Sequence, residues 1–278
     1  MEKICDLHTH SNFSDGTLSP SEIIDLAVEC GLSAVALCDH NTVNGLPEFL
    51  SAAKDKNIEA VPGSEFSVDY NGTELHLLGL YIKPEYFKEI AEMMLDFNKR
   101  KEESNVKLIN ALYKAGYMIS YEDIREKFPN AKINRSHIAA ELMGKGYIKS
   151  IGEAFEKLLA KDGGYYFEPK RATVWEMIDY LKSIGAVPVL AHPFLNLSEE
   201  ELAEFLPKAK EAGLVGMECY YSLFDEEKTE KAIKLADTYG LKYSGGSDFH
   251  GENKPDIQLG SGKGGLKVPF ECALSLKP

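Results

Sequence analysis

The sequence lacks what would take it to a membrane, a nucleic-acid duplex or an oxidising compartment. No apolar run in its 278 residues approaches the ~20 that a membrane-spanning helix needs. No secretory hydrophobic region follows Met1-Glu2-Lys3, which leads directly into a strand. Cysteine is sparse: Cys5, Cys30, Cys38, Cys219 and Cys272 form no Cys-x-x-Cys and lie mostly in apolar segments. Such thiols read as buried and reduced, and the expected location is the cytoplasm. Positive charge is also short, with a formal net charge of -13 and only four arginines. That balance argues against a long duplex footprint, though not against a small phosphorylated ligand. Part of the acidity reads as metal ligands, whose charge bound cations would offset. No repeat or low-complexity stretch is present.

What the chain does have is histidine and carboxylate at short spacings. His8 and His10 stand two apart, after Ile4, Cys5 and Leu7, which suit a short buried strand. On a strand that spacing puts both imidazoles on one face, whereas a helix would splay them by roughly 200°. Asp15 adds a carboxylate five residues on. Together they form a candidate set for a divalent metal, the alternative being a structural histidine pair at a strand end.

The rest of the chain alternates strand and helix. Ser19, Pro20 and Glu22 make a capping box for a helix over 20–30 that stops at Gly31. The apolar run 33–38 reads as a strand buried on both faces and ends in Asp39-His40. A helix over 43–56 precedes a strand over 58–63 that ends near Glu65, and a fourth strand over 73–82 carries His76. This rhythm predicts an α/β fold with a parallel sheet or barrel, whose sites lie at the strand ends. It resumes with a helix over 173–184 and a strand over 187–191 ending in His192. A helix over 198–212, a strand over 215–219, a helix over 225–239 and a strand over 241–244 follow, the last ending in Asp248 and His250. The tail 251–278 reads as loop with a short return strand at 266–270.

Between Pro84 and Glu168 the period is helical only, over 84–115, 121–128, 134–145 and 150–160. We read 99–170 as a helical insertion, a cap domain on a barrel domain formed by 1–98 and 171–278. Arg100, Arg125, Arg135 and Arg171 all fall in or beside it, and arginine is the better fork for phosphate oxygens. Arg100 and Arg125 read as solvated. Asn134 is a plausible N-cap, so Arg135, Ser136 and His137 occupy the first turn of a helix with an apolar stripe at Ile138, Leu142 and Met143. That turn is a candidate seat for an anion, with Lys170 and Arg171 at the rejoining point as further substrate-binding candidates.

Six of the seven histidines stand at strand ends, His137 being the exception. The set is His8, His10, Asp15, His40, Glu65, His76, His192, Asp248 and His250. Imidazole and carboxylate without cysteine suit Zn, Mn or Fe, and nine donors exceed one tetrahedral ion. They suit two or three divalent ions.

These motifs resemble those of the PHP (polymerase and histidinol phosphatase) family. They are His8-x-His10…Asp15, Asp39-His40, Glu65, His76, Ala191-His192-Pro193 and Ser247-Asp248-x-His250, in order across 3–80 and 186–252. The resemblance implies a distorted seven-stranded (β/α) barrel with an inserted helical cap, and a trinuclear site. One ion would sit on His8, His10, Glu65 and Asp248, a second on Glu65, His76 and His192, a third on Asp15, His40 and His250. Several family members have His where Asp15 stands, and a carboxylate there favours a harder ion such as Mn or Fe. Asp39 is expected behind the ligands, orienting His40 or His10. The capped arrangement implies a metal-dependent phosphoesterase acting on a small nucleotide through ion-activated water. The expected substrate is a phosphate monoester, either a mononucleotide or a nucleoside 3′,5′-bisphosphate, with the end of a short oligonucleotide as an extension. Histidinol phosphate is the alternative substrate. A non-catalytic, metal-stabilised accessory domain is the alternative of another class, disfavoured by the intact ligand set and by the lack of a polymerase domain.

Overall fold

The computed structural model describes residues 3–129, 133–160 and 163–278. β1 (Ile4–Thr9), α1 (Pro20–Glu29), β2 (Ala34–Leu37), α2 (Leu46–Ala53), β3 (Glu59–Tyr70) and β4 (Thr73–Leu80) form the first half of the barrel. α3 (Phe87–Lys114), α4 (Tyr121–Lys127), α5 (Arg135–Gly144) and α6 (Ile151–Ala154) cover the stretch read as a helical insertion, after which the barrel resumes. α7 (Val174–Ser183), β5 (Val187–Leu190), α8 (Glu199–Ala212), β6 (Gly216–Tyr221), α9 (Glu226–Tyr239), β7 (Lys242–Gly246), β8 (Val268–Pro269) and α10 (Phe270–Leu276) complete it. The capping box at Ser19 and Glu22 forms and starts α1 with Pro20 in its first turn.

The eight strands make one sheet in the order β7-β6-β5-β4-β3-β2-β1-β8. β7 also comes against β1: Asp248 N donates to His8 O at 2.9 Å and His10 N to Phe249 O at 2.9 Å. The sheet is thereby a nearly closed barrel. Gly246 permits this approach, because a Cβ there would lie 2.4 Å from that of His8.

Three expectations need correction. The barrel sheet has eight strands where seven were expected, the short β8 being the addition. The sheet is not all parallel, since β4 runs antiparallel to both β3 and β5. β3 continues past Glu65 to Tyr70 and turns back through Asn71-Gly72, both at positive φ (53° and 82°). That dipeptide is the signature of a tight hairpin. The return strand expected at 266–270 forms as β8, antiparallel to β1, but the tail then continues as helix α10 where loop was expected. Cys272, Ala273 and Leu276 of α10 join Cys5, Leu7, Ala36 and Val189 in one apolar cluster inside the barrel. Val35, Leu37 and Phe66 face the other way, against the helices. Each fully buried Leu or Phe contributes roughly 1.5–3 kcal/mol relative to exposure.

The insertion has an apolar cluster of its own, including Leu108, Leu112, Ile124, Ile138, Leu142 and Leu158. α3 is continuous through both cores, with Ile90 and Phe97 in the barrel cluster and Leu108 and Leu112 in the other. The expected division at 98/99 falls inside it. In α5 the buried side includes Ile138 and Leu142, but Met143 is exposed and the Glu141 carboxylate is buried instead, paired with Lys127 and Lys145. Among the described residues no helix is long and apolar enough to cross a membrane. Four cysteines are buried and Cys30 is exposed, and all are free thiols.

Candidate metal centre

Strand ends bring the nine donors to one rim of the barrel. His8 lies on β1, His10 one residue past it, and their rings sit 5.0 Å apart. Beyond β2, Asn41 N donates to Glu65 O and Glu65 N to Asp39 O, so His40 is zipped against Glu65. On β4, Leu78 is the register partner of Glu65, so His76, two residues earlier, shares its face. His192 follows β5, and Asp248 and His250 follow β7. His192 and Asp248 hold positive φ (27° and 56°), uncommon for such residues and a sign of backbone bent to aim a side chain.

Glu65 is the hub. Its Oε2 lies 3.3 Å from His8 Nε2, 3.3 Å from His10 Nε2 and 3.0 Å from His40 Nδ1. Its Oε1 lies 2.8 Å from His76 Nδ1 and 3.0 Å from His192 Nε2. Asp248 Oδ1 is 3.4 Å from His10 Nε2. Asp15 Oδ1 is 3.2 Å from His250 Nε2, and its Oδ2 is 3.7 Å from His40 Nε2. Three donor groups are tight enough for an ion, with atoms within 4.8 Å: His8-His10-Glu65, His40-Glu65-His76 and His10-Asp15-His40-His250. His10, His40 and Glu65 each belong to two of these groups, and the sharing of Glu65 is the arrangement the resemblance implied.

The donor set fits divalent cations on a physical ground. His8 Nε2, His10 Nε2, Asp15 Oδ1, His40 Nδ1, His76 Nδ1 and His192 Nδ1 are buried without a well-aligned hydrogen-bond partner, although Glu65 oxygens stand close to several of them. Leaving such groups unpaired costs ~1–3 kcal/mol each. A cation that accepts their lone pairs removes that cost. Electrostatics agree. Burial alone would raise the Glu65 carboxyl, but the imidazoles of His76, His40 and His8 hold it well below the usual range. Asp15, beside His250 and His40, and Asp248, beside Lys254 and His250, are likewise held low against burial. Burial opposes charge on His10 and His76, yet their carboxylate partners raise both to about 9.

Behind the donors stand residues that the sequence reading missed. Glu218 accepts from His8 Nδ1 at 2.9 Å and from His192 N at 2.6 Å, steering His8 Nε2 inward. Asp6 accepts from Ser247 N and Gly260 N, fixing the Asp248 loop. Tyr221 OH and Lys254 Nζ donate to Asp248 Oδ2 at 2.8 and 2.7 Å. Asp39 contacts neither His10 nor His40 directly. It accepts from Ser11 N and Oγ and from Ser14 Oγ, and Ser14 Oγ is 3.5 Å from His10 Nδ1, so its influence on His10 runs through Ser14. Truncating Glu218 to Ala should weaken metal retention and activity by ~10–100-fold. Metal content after dialysis, set against kcat, checks this.

A cavity of about 490 Å³ opens over the hub, lined by Glu65, His76, His192 and Asp248 below and by Arg135 and Ser136 above. A second lobe of about 260 Å³ adjoins it, sharing Asp15, Ser136 and His250, with apolar walls from Phe128, Ala140, Ile151, Leu223 and Ile257. The arginine is braced rather than loose. Its Nη2 lies 2.7 Å from Glu74 Oε2, its Nη1 donates to Leu159 O, and Tyr166 faces it at 4.3 Å. The other cap candidates sit elsewhere. His137 is buried, its Nδ1 accepts from Asn134 N, its ring packs on Phe128, and burial pushes its pKa down to about 4. It borders only the apolar lobe. Lys170 is exposed and touches neither lobe. Arg171 is buried on Glu74, Glu168 and Tyr166 and approaches the cavity only through Glu74.

Comparison with known proteins agrees with this geometry. Residues 6–186 match the PHP domain. The chain is 30% identical over 251 residues to a 5′-3′ exoribonuclease of Haemophilus influenzae, covering 90% of this chain and 91% of that one. It is 29% identical over 256 residues to a 3′,5′-nucleoside bisphosphate phosphatase of Chromobacterium violaceum, covering 91% and 90%. A crystal structure from Bifidobacterium adolescentis, proposed to be a metal-dependent phosphoesterase, superposes with a TM-score of 0.85 at 25% identity, covering 99% of this chain and 95% of that one. Together with the histidine- and carboxylate-lined rim, these matches make the chain a member of the PHP family and a hydrolase of phosphoric ester bonds.

Proposed function

We propose that the chain hydrolyses a phosphate monoester of a small nucleotide, a mononucleotide or a nucleoside 3′,5′-bisphosphate, with the insertion 99–170 serving as the cap over the site. The observation that carries this reading is the pairing of two lobes, a polar one over the donors and an apolar one beside it. The first suits a phosphoryl group. The second, about 260 Å³ with walls of Phe128, Ile151 and Ile257, suits a flat, weakly polar leaving group such as a nucleobase. Similarity to a nucleoside bisphosphate phosphatase supports the same substrate class, and similarity to an exoribonuclease extends it to oligonucleotide ends.

His8, His10, Asp15, His40, Glu65, His76, His192, Asp248 and His250 would hold two or three divalent ions. Mn or Fe suits the carboxylate at Asp15, and Zn suits the imidazoles. When bound, such ions act as Lewis acids on phosphoryl oxygens and make water nucleophilic near neutral pH. The chain's own residues do the rest. Glu218 and Asp6 keep the donors aimed. Tyr221 and Lys254 hold Asp248 with one oxygen turned to the hub. Arg135 and Ser136 grip the substrate from above, the fixed guanidinium presenting its remaining N–H donors.

A panel of nucleoside bisphosphates, mononucleotides, 5′-phosphorylated oligonucleotides, histidinol phosphate and an aryl phosphate, read by released phosphate, tests the assignment. Strongest turnover on a nucleotide is expected. Preference for histidinol phosphate would overturn the substrate class, and no turnover on any member would favour an accessory role. Arg135→Ala should raise KM for the nucleotide roughly 10–100-fold, the worth of a charged hydrogen bond of ~1.5–3 kcal/mol, and leave the aryl phosphate nearly unchanged. Equal loss on both substrates would remove Arg135 from the binding role.

A further inference from the structure

One side chain of the insertion reaches into the donor cluster. Asn134 Nδ2 donates to Asp15 Oδ2 at 2.8 Å, across 119 residues of chain. The Oδ1 of the same amide accepts from His137 N at 3.2 Å and so caps α5. Its backbone N donates to His137 Nδ1 at 3.1 Å. All three residues are buried. The preceding carbonyl, Ile133 O, is held at 2.7 Å by Asn105 Nδ2 of α3. Reversing the amide would set its oxygen against the Asp15 carboxylate and its NH₂ against an N–H, so the network admits one orientation.

The consequence for Asp15 is a division of labour. Oδ2 is taken by the amide, while Oδ1 makes no hydrogen bond and lies 3.2 Å from His250 Nε2. Capping alone does not select asparagine, because Asp and Ser cap as well and Thr nearly so. Among these only asparagine combines a capping oxygen with a second group that donates outward.

We propose that Asn134 is a positioning residue that fixes the Asp15 carboxylate for metal and, through the same amide, keeps the Arg135-Ser136 turn in register with it. This rests on the reading of Asp15 as a metal ligand. The Asn134→Ser and Asn134→Thr variants test it, since both retain a capping oxygen and neither carries the amide donor. Chelator-treated wild type and variants are titrated with Mn²⁺ by calorimetry, with melting temperature and helical circular dichroism as checks on folding. In both variants the weakest Mn²⁺ affinity should fall by ~10–100-fold, while the metal-free protein still folds cooperatively with a melting temperature lowered by no more than roughly 10 °C. At saturating Mn²⁺, kcat should recover while KM for a nucleoside 3′,5′-bisphosphate stays raised. Wild-type Mn²⁺ affinity in both variants would overturn the proposal. So would joint loss of folding, which would make the amide bond to Asp15 a structural tie and nothing more. If wild type itself bound no Mn²⁺, the metal-centre reading would fail instead, and the two failures are distinguishable.

Discussion

Glutamine in place of Glu65 should lower phosphate release by on the order of 10³-fold or more and leave the protein unable to retain metal through dialysis. The carboxylate faces five imidazoles, and no other donor of the set touches so many. Glutamine keeps the volume and one acceptor oxygen but removes the charge that sets the imidazoles against one another. Metal assistance is worth several kcal/mol, and each ~1.4 kcal/mol is tenfold in rate. Steady-state turnover together with elemental analysis checks this. Unchanged metal content with unchanged rate would move the centre away from Glu65.

Chelation should remove activity and lower the melting temperature by roughly 10 °C or more. One ion at a thousand times its Kd stabilises by about 4 kcal/mol. In a chain of this size each kcal/mol moves the melting temperature by about 2–4 °C. The gap should also widen with pH. In the metal-free protein His10 and His76 are held at about 9, against ~6.5 when unfolded. Groups raised in this way stabilise fully below ~6.5 and lose that contribution as pH climbs through about 9. Metal-free protein should therefore melt progressively lower from pH 6.5 to 9, while loaded protein, whose imidazoles are not protonated, should not follow it. Scanning calorimetry with and without chelator across that window decides it, and parallel curves would refute the role given to the two histidines.

The nine donors were legible because strand ends carry them in short local motifs, and the period-2 spacing of His8 and His10 has one geometric meaning. The helical segments were legible from caps at Ser19, Asn134 and Gly213. Glu218 was not, because within Gly216–Tyr221 it reads as one more residue of a buried strand, and only the fold shows His8 Nδ1 beside it. Asn71-Gly72 was a visible hairpin signal, but the strand–helix rhythm around it argued for parallel pairing, and backbone pairing won. Asp39 was placed by proximity in sequence to His40, whereas its oxygens are taken up by Ser11 and Ser14. The Asn134–Asp15 contact joins the helical stretch to the loop after β1, and no local pattern announces a contact between one residue and another 119 away.

Finally, α3 runs unbroken over 28 residues from one core into the other. On such a rod each residue turns the axis by about 100°. Lengthening it by one residue near Lys101 would therefore rotate everything beyond like a key in a lock, carrying Ile133 and Asn134 off their seats. The address of the second core on the barrel is thus written in helical phase and not in the length or slackness of a tether.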